Sequence, residues 1–468
     1  MKLKGQTLFE VILALGIFSI SAVVLVGLLS KQFVYTSTPN KTLRAIEVAE
    51  EGIEAVRSIR NRDWFSLRPG TYGLTLENTT WKLATSPLTQ DGLTRSVVIK
   101  KNNDVTKEIT LNVNWNITPT RTQSITLSTL LTDWSYVGND GLTGNWSSPK
   151  IITPNITIKG GATGIDVRDR IGYISVVTKD NEPDFYIVDL LDPYNPKTIS
   201  SLFIPENNKG TDDVVVYEDY AYLASGDDDF VLHIVNIADP YNPKLISSLS
   251  LPNFDEPAKT VAISYPYLYL GTYEEAGAGE FWVIDVRDPQ KPIQVTSIEY
   301  GNNVQDINIY DNYAYVATSD SKYGEFSIID ISNPTMPALT GFVNVPKSNA
   351  GYGIAKINNN SVILVRRGTS GSHLATIDTT IPTSPKLLKE IIANDYHKVL
   401  VVGETAFVTS DEDSSELRFY NISNPANPYQ TGFMNLKTNT EGMDYLRNIL
   451  YVAVRDYKNP LAIISSQF

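Results

Sequence analysis

The chemistry open to this 468-residue chain is that of carboxylates, because it has no cysteine and only three histidines, His233, His373 and His397. Thiolate nucleophiles, disulfides and cysteine-bound metals are excluded. The chain also lacks a Gly-x-Ser-x-Gly elbow, a phosphate-cradling Walker loop and a His-Glu-x-x-His pair. Two runs, Asp227-Asp228-Asp229 and Asp411-Glu412-Asp413, bring hard oxygen atoms together. They suit calcium by type, with Asp227, Asp228, Asp229, Asp411 and Asp413 as the candidate ligands, although neither has the alternate-position spacing and distal glutamate of a helix-loop-helix calcium site. No other cofactor is expected. His233 lies inside an apolar strand and reads as a packed core histidine. The expectation is a protein that is not an enzyme, with a carboxylate-based glycan hydrolase or lyase as the alternative, for which two acids would have to meet in a central pocket.

More numerous are aspartates and asparagines that recur at a fixed distance from two prolines. The sets are Asp189-Pro193-Pro196, Asn236-Pro240-Pro243, Asp285-Pro289-Pro292, Asp330-Pro334-Pro337, Asp378-Pro382-Pro385 and Asn421-Pro425-Pro428. Their period of 43 to 49 residues fits a four-stranded propeller blade. Proline fixes φ and removes a donor while Asp or Asn bonds nearby amides, so each set reads as a turn to the outer strand of a blade. Recurrence marks these acids as structural. The units resemble LVIVD-repeat propellers, in the strand Tyr186-Ile187-Val188-Asp189 and the turns Asp192-Pro193-Tyr194-Asn195-Pro196 and Asp239-Pro240-Tyr241-Asn242-Pro243. Thr380-Ile381-Pro382-Thr383-Ser384-Pro385 is a degenerate copy.

At the other end of the chain, Lys4-Gly5-Gln6-Thr7-Leu8-Phe9-Glu10 precedes twenty uncharged residues, Val11 to Ser30. As a helix they would span roughly 30 Å, a bilayer's hydrocarbon core. Glu10 is the only charge between Gly5 and Lys31, and a lone carboxylate at a membrane edge is costly and functional. The arrangement resembles the N-terminus of type IV pilins and pseudopilins. That resemblance implies cleavage by a prepilin peptidase between Gly5 and Gln6 and an assembly role for Glu10 toward other pilin or pseudopilin subunits. Gln6 departs from the phenylalanine usual there, and Gly27 stands where major pilins often carry proline.

These features set the expected fold class. It is an N-terminal transmembrane or pilin helix with a small antiparallel sheet (α+β), followed by an all-β seven-bladed propeller closed by strands from both ends of that domain. The expected boundaries are a leader at 1–5, a hydrophobic transmembrane and assembly helix at 6–36, a pilin-like α+β domain at 37–136, a linker at 137–147 and the propeller at 148–468. Within 37–136 the apolar spacing of Leu43, Ile46, Ala49, Ile53 and Val56 predicts a helix ending near Arg60. Five strands follow between Tyr72 and Thr132. In the seventh blade, Lys150 to Ile158 is expected to supply the outer strand, leaving no exposed edge.

Residues 148–468 hold 24 Lys and Arg against 40 Asp and Glu, a balance that repels phosphate, so no nucleic acid is expected on the propeller. The loops joining second and third strands (178–184, 226–229, 273–280, 319–325, 366–373, 410–416 and 455–460) hold sixteen acidic residues against six basic. They differ from blade to blade, so this acidic face is where an unknown protein or glycan ligand is expected. The functional expectation is a minor type IV pilin-like protein, single-pass in the membrane through residues 6–30, with its bulk outside the cytoplasm on the cell surface or a pilus. There it would display the propeller as a binding or adhesion module. The alternatives are a pseudopilin of a secretion or DNA-uptake system and a membrane-anchored carbohydrate-active propeller.

Overall fold

The computed structural model describes residues 41–60, 67–77, 80–103, 106–118, 121–132, 142–152, 156–178, 182–205, 207, 209–252, 254–345, 350–368, 374–392, 396–412 and 414–467. The chain divides into two compact units, Met1–Val137 and Gly138–Phe468.

In the first unit one helix, α1 (41–60), packs on an antiparallel sheet. The strands are β1 (Gly70–Glu77), β2 (Thr80–Ala84), β3 (Leu88–Gln90), β4 (Leu93–Asn103), β5 (Thr106–Thr118) and β6 (Arg121–Thr132), in the order β2-β1-β4-β5-β6 with β3 beside β4. Ala45, Ala49, Ile53, Val56 and Ile59 form the buried line of the helix against Val97, Ile109, Leu111 and Val113. A Cβ on Gly52 would stand 2.7 Å from a Leu111 methyl, so glycine is what lets helix and sheet approach. The expected apolar stripe holds from Ala49 onward. Leu43 and Ile46 instead stand 60% and 36% exposed, because they lie about 160° and about 100° around the helix axis from Ala45, which faces the sheet.

The expected fold class is corrected at its N-terminal end. Among the described residues α1 is the only helix, and no helix is long and apolar enough to cross a membrane. The described fold is therefore one helix on a six-stranded sheet plus a strand-built propeller, without a transmembrane or pilin helix. The described helix α1 is the one expected within 37–136: it carries Arg44, Glu47, Glu50, Glu51, Glu54, Arg57 and Arg60, and its burial is one-sided. The segment 6–36, with Gly5, Gln6 and Glu10, lies outside the described residues.

The second unit is built from seven four-stranded antiparallel sheets. Their inner strands are Gly161–Arg168, Thr211–Tyr217, Ala258–Ser264, Val304–Tyr310, Ala350–Asn358, Tyr396–Val402 and Thr440–Leu446, for blades one to seven. Each packs against the next, and the seventh against the first, closing a β-propeller around a central channel. Third strands such as Phe185–Asp189 and Phe281–Asp285 are buried except at their final residue. That residue makes the turn. Its Oδ1 accepts the amide two positions on, from Asp189 to Leu191 (2.8 Å), Asn236 to Ala238 (3.1 Å), Asp285 to Arg287 (3.0 Å), Asp330 to Ser332 (2.9 Å), Asp378 to Thr380 (2.8 Å) and Asn421 to Ser423 (3.2 Å). The degenerate copy at Asp378 keeps this geometry because a single carboxylate suffices for it. The prolines dock the turns on the preceding blade: Ser200 Oγ donates to Pro240 O at 2.6 Å, Ser247 Oγ to Pro289 O at 2.7 Å and Thr376 Oγ1 to Pro425 O at 2.6 Å.

Blade seven takes its outer strand from the start of the unit, but the strand is Asn145–Ile152 and not Lys150 to Ile158. It pairs with Leu461–Gln467 through Ile152↔Ile463 and Asn145↔Gln467, so three residues of the expected 137–147 linker are strand. The earlier start follows from Trp146. Its ring is 6% exposed and meets Phe407 edge-on at 5.2 Å, while its Nε1 donates to Asn448 Oδ1 at 3.1 Å.

Candidate binding site at the channel mouth

Every inner strand slips register near its start, at the end of the channel where the second-to-third strand loops lie. An extra residue in a bulge leaves the ladder and is re-aimed. The bulges hold Thr163, Asp212, Lys259, Gln305, Tyr352, His397 and Glu441, a different side chain in each blade. Lys259 Nζ lies 3.5 Å from Asp212 Oδ1. Burial works against its charge, while Asp212 and then Glu441 hold its pKa above the ordinary value. At the rim Arg455 reaches Glu441 (3.7 Å), and Asp411 sits between Arg367 (3.1 Å) and His397 Nε2 (2.8 Å). The Tyr352 ring lies 5.8 Å from the His397 ring and 5.7 Å beneath the Arg367 guanidinium.

One residue further along each inner strand the channel narrows. These positions are Gly164, Asp213, Thr260, Asp306, Gly353, Lys398 and Gly442. A Cβ on Gly442 would stand 2.8 Å from Gly164 Cα, so glycine is required where the strands crowd. Thr260 Oγ1 donates its one proton toward Asp213 at 3.0 Å and lies 3.4 Å from Asp306, and Lys398 Nζ binds Asp306 at 2.7 Å. The same acids tie blade to blade, Asp213 taking the Val261 amide (3.2 Å) and Asp306 the Ile354 amide (2.9 Å). Burial raises the Asp213 pKa against the pull of Lys398. Lys398, half-buried, is held protonated by Asp306 and Asp213 against the cost of desolvation.

Deeper still, Asp444 and Asp166 face each other from blades seven and one. Asp444 takes the Val167 and Tyr445 amides, and Asp166 takes the Val216 amide at 2.8 Å and the Arg168 Nε at 2.8 Å. Burial first, and the Asp166 charge second, push Asp444 up to about 7.

Two of these blades match the LVIVD repeat. The matched residues are 210–250 and 301–345, covering blade two and blade four. No curated protein matches the chain. Among solved structures, virginiamycin B lyase from Staphylococcus aureus with quinupristin is similar at a TM-score of 0.51 and 12% identity, over 68% of this chain and 99% of that one. A selenomethionine form of that lyase gives the same values. YCF48 bound to D1 peptide is similar at 0.50 and 8% identity, over 70% and 98%. These likenesses are of fold.

The acids expected on the recognition face divide into two kinds. Asp184, Glu280, Glu325 and Glu416 are 0–2% exposed and are latches. Each accepts the amide of the residue twenty positions on: Ile204 at 2.7 Å, Tyr300 at 2.6 Å, Val345 at 2.8 Å and Leu436 at 2.8 Å. Burial raises the pKa of Asp184 to about 6 and moves Glu280 and Glu325 the same way. Arg366, expected in a loop, is fully buried beside Glu325 at 3.2 Å. The acidic count of that face was therefore too high, since a loop-terminal acid that caps a returning strand looks in sequence like a solvated one.

Of the calcium candidates, Asp227 is buried and its Oδ1 accepts the Asp229 amide at 3.1 Å, Asp228 binds Lys209 at 2.6 Å, and Asp411 binds Arg367 and His397. Asp413 and His373 lie outside the described residues. Among the described residues no three His, Cys, Asp or Glu side chains gather as a metal site. His233 is buried between Ser248 Oγ (2.8 Å) and Ser225 Oγ (3.2 Å), and desolvation lowers its pKa to about 4. The bulge ring was missed because hydrophobic alternation carries no signal for a bulge. Its one trace is distance, each bulge residue standing 24 to 26 positions before the Asp or Asn of a Pro-Pro turn in blades one to six.

Proposed function

We propose that this is a pilin-like surface protein of minor abundance whose propeller serves as a binding module, with the ligand received at the loop-side mouth of the channel. The observation that carries the reading is the bulge ring. A frame repeated seven times places seven different side chains at equivalent positions, and such variety serves recognition while the turns and latches repeat for stability. The site offers donors, acceptors and both charges, with the Tyr352 ring for stacking. Gly5, Gln6 and Glu10 support processing by prepilin peptidase and assembly with other pilin-type subunits. Co-expression with and without the peptidase, followed by mass spectrometry of the mature N-terminus, tests this. A cut after Gly5 that is lost in Gly5→Ala supports the reading, and an uncut chain in both cases defeats the pilin part of it. Immunogold label along the whole length of sheared filaments would defeat the minor-subunit part.

The Asp444 and Asp166 pair favours a second reading, a glycan hydrolase or lyase. A buried carboxyl pushed up to about 7 that faces a second carboxyl is the kind of pair that supplies an acid and a base or nucleophile. Turnover of surface polysaccharides by the full chain, abolished in Asp444→Asn with the fold retained, would establish it.

A further inference from the structure

We propose that β6 is a self-pairing edge, through which two copies of this chain join their first units by antiparallel β6–β6 pairing. β6 runs twelve residues, Arg121 to Thr132, and among the described residues it pairs only with β5. Its other side is a row of backbone donors and acceptors roughly 40 Å long at about 3.4 Å per residue. Long, neutral edges are templates for pairing and are ordinarily blunted by short length, proline, lysine or a bulge.

The same chain shows how it blunts edges elsewhere. The outer strands of the first six blades are six residues each, follow a proline, and are bulged against their neighbours. Lys197, Lys244 and Lys386 open three of them. β6 has none of these devices along its length, with no proline, no lysine, one charge at Arg121 and its only register shift opposite Asn116–Thr118 at the first turn.

A second copy is the occupant that fits. Turned antiparallel about Thr126, the strand is complementary to itself. Ser124 meets Ser128 and Thr126 meets its own copy along the exposed hydroxyl row, the exposed Thr122 meets the exposed Leu130, and the inward Ile125 meets Leu127. The two Arg121 side chains fall at opposite ends of the ladder, so no like charges are opposed. Such a contact is a closed two-fold interface, which stops at two copies instead of growing a fibre.

The absence of cysteine makes the test direct. In the full chain in detergent, Thr126→Cys places its thiol against its own copy, whereas the thiols of Thr122→Cys are about 30 Å apart, beyond disulfide reach. We expect roughly tenfold more disulfide-linked dimer for Thr126→Cys than for Thr122→Cys under mild oxidation, as the bond tolerates only a short Cα separation. A mixture of Thr122→Cys and Leu130→Cys copies should cross-link to each other. Equal dimer at both positions means parallel or random contact and overturns the proposal, as does no dimer at either. Capture of a different protein at position 126 likewise overturns self-pairing. Both threonines are exposed, and hydrogen exchange of the β6 amides in the unchanged chain gives an independent readout, since protection that is unaltered by dilution through the dimer range would also overturn it.

Discussion

Lys398 Nζ lies 2.7 Å from Asp306 Oδ1, joining blade six to blade four across the channel, past the glycine that blade five places at the same level. Asp213 shares Thr260 with Asp306, so the lysine neutralises two carboxylates that would otherwise repel. Lys398 is 23% and Asp306 12% exposed, so Lys398→Ala should cost less than the about 3–5 kcal/mol of a fully buried pair. The double variant Lys398→Ala with Asp306→Asn should recover a substantial part of it, as measured by urea unfolding of both.

The twenty-residue acid latches give a prediction of opposite sign for two substitutions. Glu280→Ala leaves the buried Tyr300 amide unpaired and should lose about 1–3 kcal/mol. Asp184→Asn keeps an acceptor for Ile204 and removes a burial penalty. Because the folded pKa of Asp184 is raised to about 6 from 3.8, its stabilising contribution is fully present below 3.8 and is lost as pH rises through 6. The wild-type and Asp184→Asn unfolding midpoints should therefore diverge in favour of the variant across that window, and parallel curves would refute the assignment.

His233 titrates the other way. Its folded pKa is lowered from 6.5 to about 4, so the fold holds it neutral while the unfolded chain takes up a proton. Stability is lost as pH falls from 6.5 to 4, by roughly 3.5 kcal/mol at about 1.4 kcal/mol per unit. His233→Gln should remove that part of the acid sensitivity in a pH series of thermal or urea melts.

Ring closure rests on Trp146 and Asn448. Asn448 accepts from Trp146 Nε1 and the Thr143 amide and donates to Ser466 Oγ, in a left-handed conformation that asparagine tolerates. Trp146→Ala should cost about 3–5 kcal/mol, and the loss should be local. Hydrogen exchange of the amides in 461–467 should accelerate before those of blades two to five, and uniform acceleration would show that closure is not what Trp146 supports.

The sequence by itself determined what repeats. Proline and asparagine or aspartate at fixed offsets specify a turn through their own covalent limits, and alternating or continuous apolar runs specify strands, so the blade period, the six turns and the need for a strand from the start of the unit were legible before any coordinates. The apolar stripe of α1 from Ala49 onward was legible too. Tertiary structure alone decided what converges on the axis. A bulge depends on how two strands pair, so the ring from Thr163 to Glu441 has no local signature. Whether Asp184 is a latch or a solvated loop acid depends on a backbone amide twenty residues away. The pairing of Asp166 with Asp444, 278 positions later, exists only because the seventh blade closes on the first, and a contact made by ring closure is invisible to any window of sequence.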